Sequence, residues 1–379
     1  MPVYKKNSFL IDGLAMRYSS FVPRLFNFCL SLGMQPNRIM PSRAFCSDEN
    51  QGYPIILIAK HFGTFPFNHG RVGGIVATDR HQPHAQHGRD SVVIQASHVG
   101  FEPDTGEFGV YRRLQTDSQH HSDDCGAICN VLDWYRDEFN FARRHIKLDH
   151  DEHGQLVVID NQLLHDDREE GLFLNLGRLL DMRDGGPEPL QLLSTAKVYR
   201  AAPELVARIG AHWPERRESI GRYLFADLFR YRRDTEKIVD ASSNINRNLI
   251  QAMPEILSSR YPALAAAQVN TQIEFDRTFR TIVKESAYRG KRVAFISGIN
   301  IDVSPREGQI FPLTKYIPWA AYIQDESGAG YALEQEELYE RLMKQSVENP
   351  NKIDLTAAIE GMKREAEIQI RVDGSGASD

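Results

Sequence analysis

The chain has 379 residues, 41% of them apolar and 25% charged, with a formal net charge of −6. It is long enough to bury a large core but lacks the basic surplus that phosphate contacts require, which argues against nucleic acid as a partner. No apolar run approaches the ~20 residues that cross a bilayer, and the cysteines are too few for a disulfide scaffold, so a reducing, cytoplasmic setting is expected.

The segment up to Arg43 carries Lys5, Lys6, Arg17, Arg24, Arg38 and Arg43 against a single acid, Asp12. A basic, Ser-containing start of this kind superficially resembles an organelle transit peptide. The competing reading is an amphipathic helix over FVPRLFNFCLSLG, closed by Gly33 and followed by Pro36, that packs on the domain or on a second subunit. Next, YPIILIAK is short, unbroken and rich in β-branched residues, and it reads as a buried strand. The glycines and prolines of HFGTFPFNHGRVGGIVATDRHQPHAQHG indicate loops around one short helix. SVVIQAS reads as a second buried strand with His98 emerging at its C-terminal edge, and FGVYRRLQ as a third. Cys125 then opens the helical pattern CGAICNVLDWYRDEFNFARR, where exposed backbone N–H groups favour a thiolate. Cys129, one turn further in, reads as core.

Beyond Arg144, GQLVVIDNQ reads as a strand, and four segments carry apolar residues at helical spacing: DDREEGLFLNLGRLLDMR, PELVARIGAHW, ESIGRYLFADLFRYRRDTEKIVD and QIEFDRTFRTIVKESAYRG. RVAFISGINIDV is a strong late strand that completes the sheet begun by YPIILIAK and SVVIQAS. ALEQEELYERLMKQ and DLTAAIEGMKREAEI are closing helices, and the GSGASD tail is expected to be disordered. The expected fold class is α/β, with a mixed, largely parallel sheet flanked by helices and with added helices at both ends. Its expected division is an N-terminal helical arm (1–40), an α/β domain (41–325), C-terminal helices (326–372) and the tail (373–379).

The chemistry concentrates between Cys46 and Cys125. A Cys-x-Asp (Cys46, Asp48), a His after an apolar run (His98) and a Cys-Gly at a helix start (Cys125, Gly126) each sit where an element meets a loop. Two thiolates and an imidazole are a zinc set used at catalytic sites, with one coordination position left open. Spacing alone does not select them, because His61, His69, His81, His84, His87, His120 and His121 offer other imidazoles.

The motifs CSDEN, FPF, SHVGFEPDTGEFGVYRR and DCGA, with the late FISGINIDVSPREGQIFPL, resemble the limiting-carbon-dioxide-inducible B family of algae and its bacterial relatives, the theta-class carbonic anhydrases. Departures are Asp124 in place of a frequent Cys, His69-Gly70 in place of Gly-Gly, and Ser97 in place of Pro. The resemblance implies a fold similar to beta carbonic anhydrases, a homodimer, and zinc held by Cys46, His98 and Cys125, making 41–325 the catalytic domain. It implies Asp48 as the carboxylate beside the metal, paired with an arginine, for which Arg113 is favoured over Arg112 and Arg71. The activity implied is reversible hydration of carbon dioxide to bicarbonate, with Phe65, Phe67 and Val99 as apolar wall and His61 or His69 as proton shuttle. The alternative is an inactive zinc-binding member that acts as a binding or scaffold protein in inorganic-carbon handling.

Overall fold

The structure, a computed structural model, describes residues 9–77, 90–112, 121–164, 167–182, 186–238, 242–306, 308–309 and 313–364. Its centre is a mixed sheet of strands β1 (Met16–Arg17), β2 (Ile39–Ala44), β3 (Phe67–Asn68), β4 (Asp90–Glu102), β5 (Glu107–Phe108), β6 (Val293–Val303), β7 (Lys315–Gln324) and β8 (Gly330–Leu333). The order is β1-β7-β6-β4-β2-β3, with β5 pairing β4 and β8 pairing β7. The inner strands β6, β4, β2 and β3 run parallel, whereas β7 joins β6 antiparallel.

Both long inner strands are buried along nearly their whole length, which is why they read as continuous apolar runs rather than alternating ones. On one face lie helices α1 (Tyr18–Ser31) and α2 (Gly52–Phe62), whose Tyr18, Phe21, Leu25 and Ile58 share a core with Ile94, Ile296 and Tyr316. Phe21 stacks on Tyr316 at 4.1 Å between ring centroids. The opposite face is covered by α3 (Gly126–His145) and α4 (Pro262–Lys284), whose core includes Cys46, Val99, Cys125, Ile128 and Leu132. A second, antiparallel sheet packs beside α3 and is built from Gln191–Leu192, Ala196–Arg200, Gly154–Asp160, Ile146–Asp151 and Glu218–Ser219.

Several expectations hold. The N-terminal amphipathic helix is α1, with Gly33 at φ +86° just beyond its end. SVVIQAS and RVAFISGINIDV are the adjacent strands β4 and β6, GQLVVIDNQ contains a strand, and the helix after Cys125 is α3. PELVARI forms a helix over Pro203–Ile209, and the two closing helices lie over Gln335–Met343 and Leu355–Arg364. The GSGASD tail lies outside the described residues.

Three expectations are corrected. YPIILIAK lies in helix α2, not a strand: the helix's buried positions Pro54, Leu57, Ile58, Ala59, His61 and Phe62 follow helical spacing, and Gly63 ends the helix at φ +80°. The strand of the sheet that precedes it is instead Ile39–Ala44. DDREEGLFLNLGRLLDMR and ESIGRYLFADLFRYRRDTEKIVD are not long helices. Gly171–Leu174 and Phe229–Arg232 pair as an antiparallel ribbon, and the alternating burial of Phe229, Arg230, Tyr231 and Arg232 was hidden in a window with helical spacing. His98 does not emerge at a strand edge. It lies within β4, opposite Asn300 of β6.

The turn at Val72–Gly74 passes very close to β4. Gly74 has φ +73°, and a Cβ there would lie 2.2 Å from Ala96 O, an immovable backbone atom. Gly106 has a similar φ of +71° with open space around it. Gly74→Ala should therefore cost more than the ~1 kcal/mol typical of a strained φ, and clearly more than Gly106→Ala, in urea denaturation. Equal costs would mean that the turn does not press on β4.

Candidate metal centre

Three separate elements bring the sulfurs and the imidazole together. Strand β2 ends at Ala44 and delivers Cys46, β4 carries His98, and Cys125 takes the position before α3 in the left-handed region at φ +47°. One ligand atom from each of Cys46, His98 and Cys125 lies within 4.8 Å of the other two. The three residues are only 5%, 0% and 2% exposed, so the cluster is sealed from bulk water in the isolated chain. Asp48, half-buried, forms a second such group with His98 and Asp124. Its Oδ1 also accepts the Asn50 N–H at 3.1 Å, which fixes the turn after Cys46.

The imidazole is held in one orientation. His98 Nδ1 lies 2.9 Å from Asp302 Oδ2 and 3.2 Å from Asp124 Oδ2. Asp302 receives two further donors, Thr314 Oγ1 on Oδ1 at 2.9 Å and Gln51 Nε2 on Oδ2 at 2.8 Å. Gln51 Oε1 accepts from Asn300 Nδ2 at 2.6 Å, and Asn300 Oδ1 accepts from Tyr18 OH at 2.7 Å. A carboxylate surrounded by donors is an acceptor, so His98 Nδ1 carries a proton and Nε2 is the nitrogen left for the sulfurs. His98 Nε2 is buried with no hydrogen-bond partner, an arrangement that is costly unless something else meets it. A histidine that donates one nitrogen to a carboxylate and offers the other to the sulfurs is how metal-binding imidazoles are oriented.

Electrostatics point the same way. The hydrogen bond from Cys125 draws the Cys46 thiol down to about 3 against the opposing effect of burial, with His98 and the Gly73 N–H adding to it. Cys125, donating that bond and buried, is pushed well above the usual thiol range. Burial alone would lower His98, but the sulfurs, the Asp124 carboxylate and the hydrogen bonds to Asp124 and Asp302 raise it well above its ordinary value, so the imidazole holds a second proton that a bound metal would replace. Burial lifts Asp48 to about 6 and Asp302 to about 7. Two thiols and three carboxylates thus converge on one imidazole, an assembly whose buried negative charge calls for a cation. The donor set of two soft sulfurs and a borderline nitrogen suits a metal such as zinc.

The other candidates separate. Val99 is buried in the same core as Cys46 and Cys125, while Phe65 and Phe67 are 68% and 40% exposed and are corrected as wall residues of a buried centre. His61 is buried at the end of α2 with Nδ1 3.2 Å from Asn349 Nδ2, and burial lowers it to about 4. Burial lowers His69 to about 3. Both imidazoles are therefore neutral at physiological pH. Arg112 donates Nη2 to Pro305 O at 2.6 Å. Arg113, His81, His84, His87 and His120 lie outside the described residues. Cys129 donates its thiol to Asp124 O at 3.3 Å, which makes it part of the packing behind the site. Sequence reasoning missed Asp302, although a lone carboxylate inside the apolar FISGINIDV strand was a usable signal.

No family model matches the chain, and no curated protein matches it. Among solved structures it is similar to PtLCIB4, a homologue of the limiting CO2-inducible protein LCIB, with 12% identity over 87% of this chain and 97% of that one and a TM-score of 0.48. It is also similar to LCIB itself, with 13% identity over 87% of this chain and 100% of that one and a TM-score of 0.45. At such values the function has to be argued from this chain's own residues.

If Asp302 sets the imidazole, Asp302→Asn should weaken metal binding by about 10- to 100-fold, the usual effect of losing such a partner, while the fold persists. Cys46→Ser, His98→Ala and Cys125→Ser should each lose the metal in elemental analysis, whereas Cys29→Ser and Cys129→Ser keep it. Full metal content in Cys125→Ser would remove that residue from the ligand set.

Proposed function

We propose that the chain is a zinc-dependent carbonic anhydrase that interconverts carbon dioxide and bicarbonate. The observation that carries this reading is the convergence of Cys46, His98 and Cys125 within 4.8 Å, with the Asp48 carboxylate beside them. The four cysteines are free thiols, which supports a reducing compartment such as the cytoplasm.

Cys46, His98 and Cys125 would hold the ion. When bound, zinc supplies a Lewis acid that lowers the pKa of an attached water to about 7. The protein's own contributions are positional. Asp48 accepts a hydrogen bond from the attacking water and directs its lone pair at the carbon of carbon dioxide. The new C–O bond forms as one C=O electron pair moves onto oxygen, and a proton leaves to solvent, giving bicarbonate. Val99 and Ile75, buried in the same core as Cys46 and Cys125, offer an apolar surface against which a molecule without charge can rest. Asp302 keeps the His98 proton on Nδ1. An arginine that keeps Asp48 ionised, with Arg113 favoured over Arg112, belongs to this reading.

A second reading has its own support. The ligands are so buried, and Asp48 so close to His98, that Asp48 itself can complete the coordination, leaving a closed metal centre in a binding or scaffold protein. A homodimer belongs to both readings, and the exposed Phe65 and Phe67 at the edge strand β3 support a contact surface there. A stable monomer at micromolar concentration in light scattering would argue against the dimer.

Stopped-flow hydration assays on the zinc-loaded protein decide between enzyme and closed site. The expected result is turnover that rises with pH to an alkaline plateau, with an apparent pKa near ~7. Asp48→Asn should keep its zinc and lose on the order of 10²-fold in kcat, the scale of losing one oriented hydrogen bond to the reacting atoms. Fully zinc-loaded protein that shows no hydration at any pH would favour the closed site, and Asp48→Asn with unchanged turnover would end the orienting role.

A further inference from the structure

The Cys46 sulfur is not held by its own loop alone. Its Sγ accepts the Gly73 N–H at 3.1 Å, and Gly73 belongs to the Val72–Gly74 turn on the far side of the centre. The Gly73 carbonyl accepts Asn270 Nδ2 at 3.0 Å, and the same amide group lies 2.9 Å from Ser97 Oγ, next to His98. Asn270 Oδ1 accepts from Asn248 Nδ2 at 2.8 Å, which also reaches Glu274 Oε1 at 2.8 Å. Glu274 Oε2 accepts the Val76 N–H at 2.8 Å and Arg277 Nη2 at 2.6 Å, and Arg277 Nη2 lies 2.7 Å from Val76 O. Asn270, Glu274 and Arg277 are four and three residues apart on α4, so they line one helical face. That face grips the turn at Gly73 and the strand that follows it at Val76.

A fully buried asparagine and a fully buried glutamate inside an apolar helix interface are expensive. Packing α4 on the sheet needs neither. Asn270 bonds the backbone of a turn whose N–H points at a sulfur, and Glu274 bonds both Asn248, which bonds Asn270, and the Val76 N–H just beyond that turn. An N–H donor on a thiolate stabilises its charge and fixes its direction, as backbone donors do for other anions.

We propose that Asn270 and Glu274 are positioning residues for the metal centre, acting through the Gly73 N–H to orient the Cys46 thiolate. The inference rests on the metal-binding part of the reading above and is independent of turnover. Asn270→Asp keeps the size of the side chain but cannot donate to Gly73 O. Zinc affinity by chelator competition should fall about 10-fold or more, within the range for partners of ligands. In the cobalt-substituted protein, the sulfur-to-metal charge-transfer band should shift. Gln324→Ala is the matched control, since Gln324 is a buried amide bonded to Tyr288 O and Lys291 O, away from the centre. It should lower thermal stability while leaving zinc affinity and the cobalt band unchanged. Should Asn270→Asp fail to fold, Asn248→Ala, at the rim of the network, is read in the same two measurements with a smaller loss expected. Wild-type affinity and band in the folded Asn270 or Asn248 variant would overturn the proposal, as would an equal loss of affinity in Gln324→Ala. A wild-type chain that binds neither zinc nor cobalt would instead overturn the metal reading itself, and zinc binding without hydration would leave this inference standing.

Discussion

The hydrogen bond between His98 and Asp302 is the constraint on which the centre depends. Both groups are fully buried, and neither strand can move without the other, because β4 and β6 are neighbours in the parallel core of the sheet. With Asp302 saturated with donors, His98 Nδ1 keeps its proton and Nε2 has one direction. Two buried thiols and three carboxylates crowd one imidazole, and the charge they can carry is the physical reason to place a cation there rather than to regard the cluster as packing.

The same network ties distant parts of the chain to that bond. Tyr18 belongs to the first helix, Gln51 to the turn after Cys46, Asn300 and Asp302 to β6, and Thr314 to the approach to β7. The basic N-terminal segment is therefore partly built into the support of the centre: its helix buries Tyr18 against the sheet core and ends the relay that begins at His98. On the other face, α4 reaches Cys46 through the Val72–Gly74 turn. Opposite faces of the sheet thus steady different members of the cluster, which makes it a product of the whole three-layer arrangement rather than of one loop.

Much of the site was legible because its residues break local patterns. A thiol at a helix start and a histidine after an apolar run are visible without a structure, and the two lie in one cluster with Cys46, although His98 sits within β4 rather than at its edge. What could not be read were contacts set by register. Asp302 reaches His98 only because β4 and β6 pair in parallel, and no spacing in the chain announces that pairing. The misreading of YPIILIAK has a different origin. Eight apolar-rich residues suit a buried strand or a buried helix equally, and only the burial of Pro54, Leu57, Ile58, His61 and Phe62 shows which period applies. Phe65 and Phe67 look like wall residues in sequence because aromatic side chains usually seek a core. Their exposure follows from their place, Phe67 in the sheet's short edge strand and Phe65 in the loop that leads into it.

Solvation decides how Asp48 can act. Were the centre to hold a divalent ion, two thiolates would neutralise it, and an ionised Asp48 would add one negative charge whether it lay on the ion or beside it. That charge falls in a setting that already holds the buried Asp302 and Asp124, so either arrangement gains from a cation near Asp48. What differs is contact with water. Asp48 is half-buried, and its carboxylate keeps part of its hydration beside the ion but gives that up by moving onto it. The balance of solvation therefore favours Asp48 beside a bound metal rather than on it.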